Sequence, residues 1–133
     1  MPKKKIIICA SASFETEIIN WKNKLEESGF DIIKYPTKIK GDLGKGYEKE
    51  FSEHYEAITK ADVLLALNLD KKGISGYIGS GVFAEMAFAI GLNRALDKNI
   101  EVCYLNTFPE TGLPYSDELK LWKDLGWIKS FSI

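Results

Sequence analysis

Two kinds of segment alternate along this chain. Short, almost unbroken apolar runs occupy Lys5–Ala10 (KIIICA), Asp31–Tyr35, Asp62–Leu67 (DVLLAL), Ile100–Leu105 and Trp127–Phe131. Their length and their β-branched and aromatic content predict five strands, the last a short edge strand. Between them lie stretches with apolar residues at helical spacing. Glu15–Ser28 carries Ile18, Ile19, Trp21 and Leu25 and stops at Gly29. Tyr47–Lys60 is highly charged, with Phe51, Tyr55 and Ile58 on one face. Gly81–Leu96 is strongly apolar, and Asp117–Leu125 is a short helix with Ser116 as its expected N-cap. Residues 37–46 (TKIKGDLGKG) read as a polar loop and Lys71–Ser80 as a glycine-rich one.

Strands that lack in–out alternation are buried on both faces, as in a parallel sheet covered by helices. The expectation is therefore one α/β domain over residues 1–133, three-layered and doubly wound, with a five-stranded parallel sheet in the flavodoxin-like order 2-1-3-4-5. Ligands of such sheets bind beyond the carboxyl ends of the strands, where the strand order reverses between the first and third. That rule selects Ala10–Phe14, Asn68–Gly81 and Asn106–Thr111 before any chemistry is considered.

Composition narrows the field. With 133 residues, 45% of them hydrophobic, the chain can bury a core without metal or disulfide. Eighteen basic residues against 19 acidic ones leave a net charge of −1, too little positive charge for a dedicated duplex-binding protein, so no nucleic-acid partner is expected. Arg94 is the one arginine, which excludes a phosphate pocket of several guanidinium forks. No run is apolar enough to cross a bilayer, and the lysine-rich start leads into only Ile6–Ala12, without a typical signal-peptide core. No membrane partner and a cytoplasmic location are the expectations. Cys9 and Cys103 sit inside strand-like runs with no CxxC or Cys/His spacing, which reads as two buried thiols and no metal site.

One residue is out of place. In VFAEMAFAIGL (82–92) the single charged side chain is Glu85, and its same-face helical neighbours Gly81, Val82, Phe88, Ala89 and Leu92 offer it no partner. A carboxylate among apolar groups is costly unless protonated or hydrogen-bonded. Burial raises its pKa, while a place in the first helical turn lowers it. Glu85 is either a functional carboxylate or a cap for free amides at the helix start. The loop ahead of it, Gly73 to Gly81, carries four glycines spaced GxxGxG. It is neither a Walker loop nor the dinucleotide fingerprint.

The segment ADVLLALN (61–68), the glycine-rich loop and GVFAEMAFAI (81–90) together resemble the nucleoside 2-deoxyribosyltransferase family and its relatives that hydrolyse deoxynucleoside 5′-monophosphates. The opening IIICASASF resembles that family's first strand and loop. The resemblance implies cleavage or transfer at the N-glycosidic bond of a nucleoside or nucleotide, with Glu85 as the nucleophile and no cofactor. It also implies a homo-oligomer. The family carries an acid eight positions before the Asp of the A-D pair, and here that position is His54, the only histidine. His54 is either an acid near neutral pH or a surface histidine on a charged helix. Two further departures are Ala87, where the family favours glycine, and the longer run NRALDKN (93–99).

Substrate contacts are expected from Ser11, Asn68, Asp70, Tyr77, Ser80 and Gly81, each with a structural alternative: helix-start capping for Ser11, loop packing for Tyr77. With Arg94 alone, phosphate recognition would rest on hydroxyls, lysines and loop amides, which tilts the expectation toward unphosphorylated substrates. The competing readings are a non-catalytic nucleotide-binding module, in which Glu85 holds ribose hydroxyls, and a flavodoxin-like electron carrier. The first loop lacks the hydroxyl-rich phosphate cradle that a flavin would need.

Overall fold

The computed structural model describes residues 2–133. Five parallel strands run in the order β2-β1-β3-β4-β5. They are β1 (Lys5–Cys9), β2 (Asp31–Lys34), β3 (Val63–Ala66), β4 (Glu101–Tyr104) and β5 (Lys129–Ser130). Helices α1 (Glu15–Glu27), α2 (Leu43–Ile58), α3 (Ser80–Leu96) and α4 (Ser116–Asp124) connect them. Among the described residues no helix is long and apolar enough to cross a membrane.

The expected architecture is present, and the sheet alternation explains how it packs. Ile7, Cys9, Leu64, Ala66, Val102 and Tyr104 share one face with Ile58 of α2, Met86, Ala89 and Ile90 of α3, and Leu119 and Trp122 of α4. Ile6, Ile8, Val63, Leu65 and Cys103 face the other way, against Ile18 and Leu25 of α1. Three helices thus cover one face and one covers the other. Both faces of β1 and β3 are dry, which is why their sequences show no polar alternation.

Most boundaries shift by a single residue, and three differences have a physical reason. Helix α2 starts at Leu43 rather than Tyr47, because Asp42 caps it by accepting a hydrogen bond from the Lys45 amide at 3.0 Å. Gly44 and Gly46 lie inside that first turn, so glycine content alone misreads it as loop. Ser116 is the first residue of α4 and not its cap: its hydroxyl accepts from the Leu113 amide at 3.0 Å and so closes the preceding turn. The edge strand is only two residues long, since β5 pairs with β4 at Cys103–Lys129 and Tyr104–Ser130 alone.

Candidate active site

The carboxyl ends of β1 and β3 and the N-terminus of α3 meet at one place. Cys9 is the last residue of β1, and its position in the alternation turns its thiol toward α2 and α3. On α2 the buried face carries His54 and Ile58, four residues apart, and the same spacing places Glu50 one turn earlier. Glu85 follows in the second turn of α3. Its partners, invisible along its own helix, come from these two other elements. His54 Nε2 lies 3.5 Å from Glu85 Oε2 and 3.3 Å from Cys9 Sγ. His54 is therefore not a surface residue but 4% exposed, whereas the Glu85 side chain retains 19%.

The protonation of the three groups follows from their burial. Loss of water pushes Glu85 up to about 7, with the nearby Glu50 adding to the rise and a hydrogen bond from the Cys9 thiol opposing it. Burial, then the Lys34 ammonium, pushes His54 down to about 4. Cys9 is wholly buried and beside Glu85, so its thiol is held well above the ordinary range. Between pH 4 and 7 the histidine and the carboxyl are thus both uncharged, and their contact is a polar one rather than an ion pair.

Glu85 stands between two hollows. The larger, about 640 Å³, is walled by Tyr47, Glu50, Phe51, His54, Tyr55 and the start of α3 at Ser80 and Gly81. The smaller, about 290 Å³, is lined by Ser11, Asn68, Lys71, Tyr77, Ser80 and Gly81, and it too reaches Glu85. The larger volume is in the range of small-molecule sites. One wall of it is an aromatic ladder along α2, in which Phe51 stacks on Tyr55 at 4.2 Å and lies 5.7 Å from Tyr47. Burial, together with Glu85 and Cys9, lifts the Tyr55 phenol to about 12, so that phenol stays neutral.

The other expected residues divide. Ser80 and Gly81 begin α3 against both hollows, and no side chain caps that helix end. Ser11 lines the smaller hollow, accepts a hydrogen bond from Lys71 Nζ at 2.8 Å and also caps the short turn at Ala12–Phe14. Tyr77 lines the same hollow with the Lys72 ammonium 5.6 Å above its ring. Asn68 reaches the smaller hollow, but its side chain is fully engaged. It donates to the carbonyls of Gly76 and Asn106 and accepts from the amides of Leu105 and Asn106. Asp70 lines neither hollow; it accepts from the Gly76 amide at 2.9 Å and braces the loop.

Three residues of the site have no counterpart in the sequence reading. Glu50 lines the larger hollow, where Lys34 Nζ donates to its Oε2 at 3.1 Å. Its Oε1 is buried 3.1 Å from the same ammonium, with no further polar partner among the described residues. Helical spacing from His54 was the available signal for it. Lys71 was visible only as the first residue of a loop. Cys9 carried no signal, because its local pattern is that of any strand thiol. Arg94 stands elsewhere, over Trp127 at 4.8 Å, beside a hollow at the start of β4.

No family model matches the chain, and no curated protein matches it.

Proposed function

We propose that this protein cleaves or transfers at the N-glycosidic bond of a nucleoside or nucleotide, with Glu85 as the nucleophile. The observation that carries the reading is the Glu85 carboxyl, four-fifths buried, lining a 640 Å³ cavity at the switch point of the sheet. The sequence resemblance to the nucleoside 2-deoxyribosyltransferase family supports it by assigning the same role to the same residue.

The chemistry suits the site. A Glu85 oxygen attacks C1′ as the C1′–N bond breaks, giving a glycosyl ester and a departing base that takes up a proton. Water or a second base then attacks C1′ from the opposite side, the ester bond breaks, and Glu85 is returned with the configuration retained. The transition state carries positive charge on the sugar, which the adjacent Glu85 carboxylate stabilises. The neutral His54 and the Cys9 thiol orient Glu85. Glu50 is the further carboxyl on the cavity wall, placed to serve the leaving base. The aromatic ladder offers a planar surface for that base, and the exposed Leu43, Tyr47 and Phe51 at the rim fit the expectation that a second copy of the chain closes the site.

One observation favours the alternative, a nucleotide-binding module on this scaffold. His54 stands where the family has an acid, and it is uncharged at neutral pH, so it is not a ready proton donor. A single assay separates the two. The protein is incubated with deoxynucleosides and their 5′-monophosphates, with and without an acceptor base, and free base is followed by chromatography. Base release or exchange that falls by at least about 1,000-fold in Glu85→Gln is expected. Binding without turnover, unchanged in Glu85→Gln, sinks the enzyme reading.

A further inference from the structure

Cys9, His54 and Glu85 bring a sulfur, an imidazole nitrogen and a carboxylate oxygen together from three separate elements, with all three ligand atoms within 4.8 Å of one another. We propose that this cluster binds one divalent cation of the zinc class, with the fourth coordination position open to the larger cavity. Two of the three separations match the edges of such a site, and the third, sulfur to carboxylate oxygen, lies within 4.8 Å. A tetrahedral Zn²⁺ with bonds of about 2.3 Å to sulfur and about 2.0–2.2 Å to nitrogen and oxygen has edges of about 3.3–3.6 Å. The S···N separation is 3.3 Å and the N···O separation 3.5 Å.

The donor set selects the cation. Thiolate and imidazole ligands suit zinc, cobalt(II) and their neighbours, whereas magnesium and calcium take oxygen ligands. Charge balances as well: a thiolate, a carboxylate and a neutral imidazole total −2, matched by one divalent ion. On binding, the Cys9 S–H bond and, below about pH 7, the Glu85 O–H bond give their protons to solvent, and bonds from sulfur and oxygen to the metal replace them. The ligands sit on a rigid frame, since Cys9 ends a strand paired on both sides and His54 is buried. Glu85 and His54 both border the larger hollow, so water or an incoming ligand can fill the remaining position. This site stands on the cluster alone, whatever the substrate. With the ion in place a Glu85 oxygen is occupied, so the base release carried out by the metal-free protein is reversibly blocked.

Cobalt(II) is the direct probe. The full chain, stripped with a chelator, is titrated with Co²⁺ and then with Zn²⁺ under reducing conditions. One equivalent of Co²⁺ should give intense tetrahedral d–d bands and a thiolate-to-cobalt charge-transfer band, both bleached by Zn²⁺. Cys9→Ser should abolish the charge-transfer band, and His54→Gln should weaken binding by at least about tenfold. Cys103→Ser should change neither, because that thiol lies on the opposite sheet face. Circular dichroism confirms that the variants fold. A wild-type spectrum of weak octahedral bands without a thiolate band overturns the proposal, with no variant needed. So does a charge-transfer band that survives Cys9→Ser. Failure of the nucleoside assay leaves these readouts untouched.

Discussion

Glu85 and His54 exchange one proton's worth of stability between them. In the unfolded chain a carboxyl titrates near 4.5 and an imidazole near 6.5, whereas here they titrate near 7 and 4. Between pH 4.5 and 6.5 the unfolded chain holds its one proton on the histidine and the folded protein holds it on the carboxyl. The counts are equal, so this pair gives stability no slope with pH there. Glu85→Gln removes the compensation. His54 alone then has a lowered folded pKa, and stability falls as pH drops from 6.5 through 4, by up to about 3 kcal/mol. Denaturant unfolding of the metal-free parent and variant at pH 7 and pH 4.5 measures the difference; parallel behaviour of the two would refute the paired titration. The same carboxyl sets the activity profile. A nucleophile must be ionised, so kcat/KM of the metal-free protein should rise with pH through about 7 and then level off. The groups facing Glu85 are Cys9, His54, Glu50 with its partner Lys34, and Tyr55.

At the scale of elements, the loop after β3 is held as a built structure rather than a flexible flap. Asn68 is 2% exposed, and each polar valence of its side chain is used. Asn68→Ala would leave three backbone groups without partners, the carbonyls of Gly76 and Asn106 and the amide of Asn106, while the Leu105 amide keeps the Ala66 carbonyl; this predicts a loss of at least about 2 kcal/mol in denaturant unfolding. Gly76, with φ +64°, stands against the Thr107 carbonyl, where an added Cβ would have to displace backbone. Gly76→Ala should therefore lower Tm as well, for a steric reason independent of Asn68. Part of this was legible. The strand end at Asn68 and the glycine-rich loop marked the right edge of the sheet. The roles of Asn68 and Asp70 were not, because an amide and a carboxylate at a strand tip look alike whether they hold ligand or backbone. Only the positions of Gly76, Leu105 and Asn106 show that the backbone takes them. The start of α2 was missed for a similar reason: one capping aspartate outweighs two glycines only once the helix is packed.

Across the whole molecule, pairing sets where the fold is firm. β1 is paired with β2 and β3, and β3 with β1 and β4, and both are buried. Their amides should exchange with solvent only at the rate of global unfolding. The two-residue, exposed β5 should exchange by local opening, at least about 100-fold faster. Native-state hydrogen exchange tests this, and uniform protection across the five strands would contradict it. The five strands, their two-sided burial and the isolation of Glu85 along its own helix were legible in the sequence itself, because each rests on local period or on one charge among apolar neighbours. Which groups answer that charge was decided by the tertiary structure. Cys9, His54 and Glu85 are separated by 45 and 31 positions and belong to a strand and two helices. Their meeting depends on the face to which β1 turns Cys9 and on how α2 crosses α3, and no pattern within any one segment carries that information.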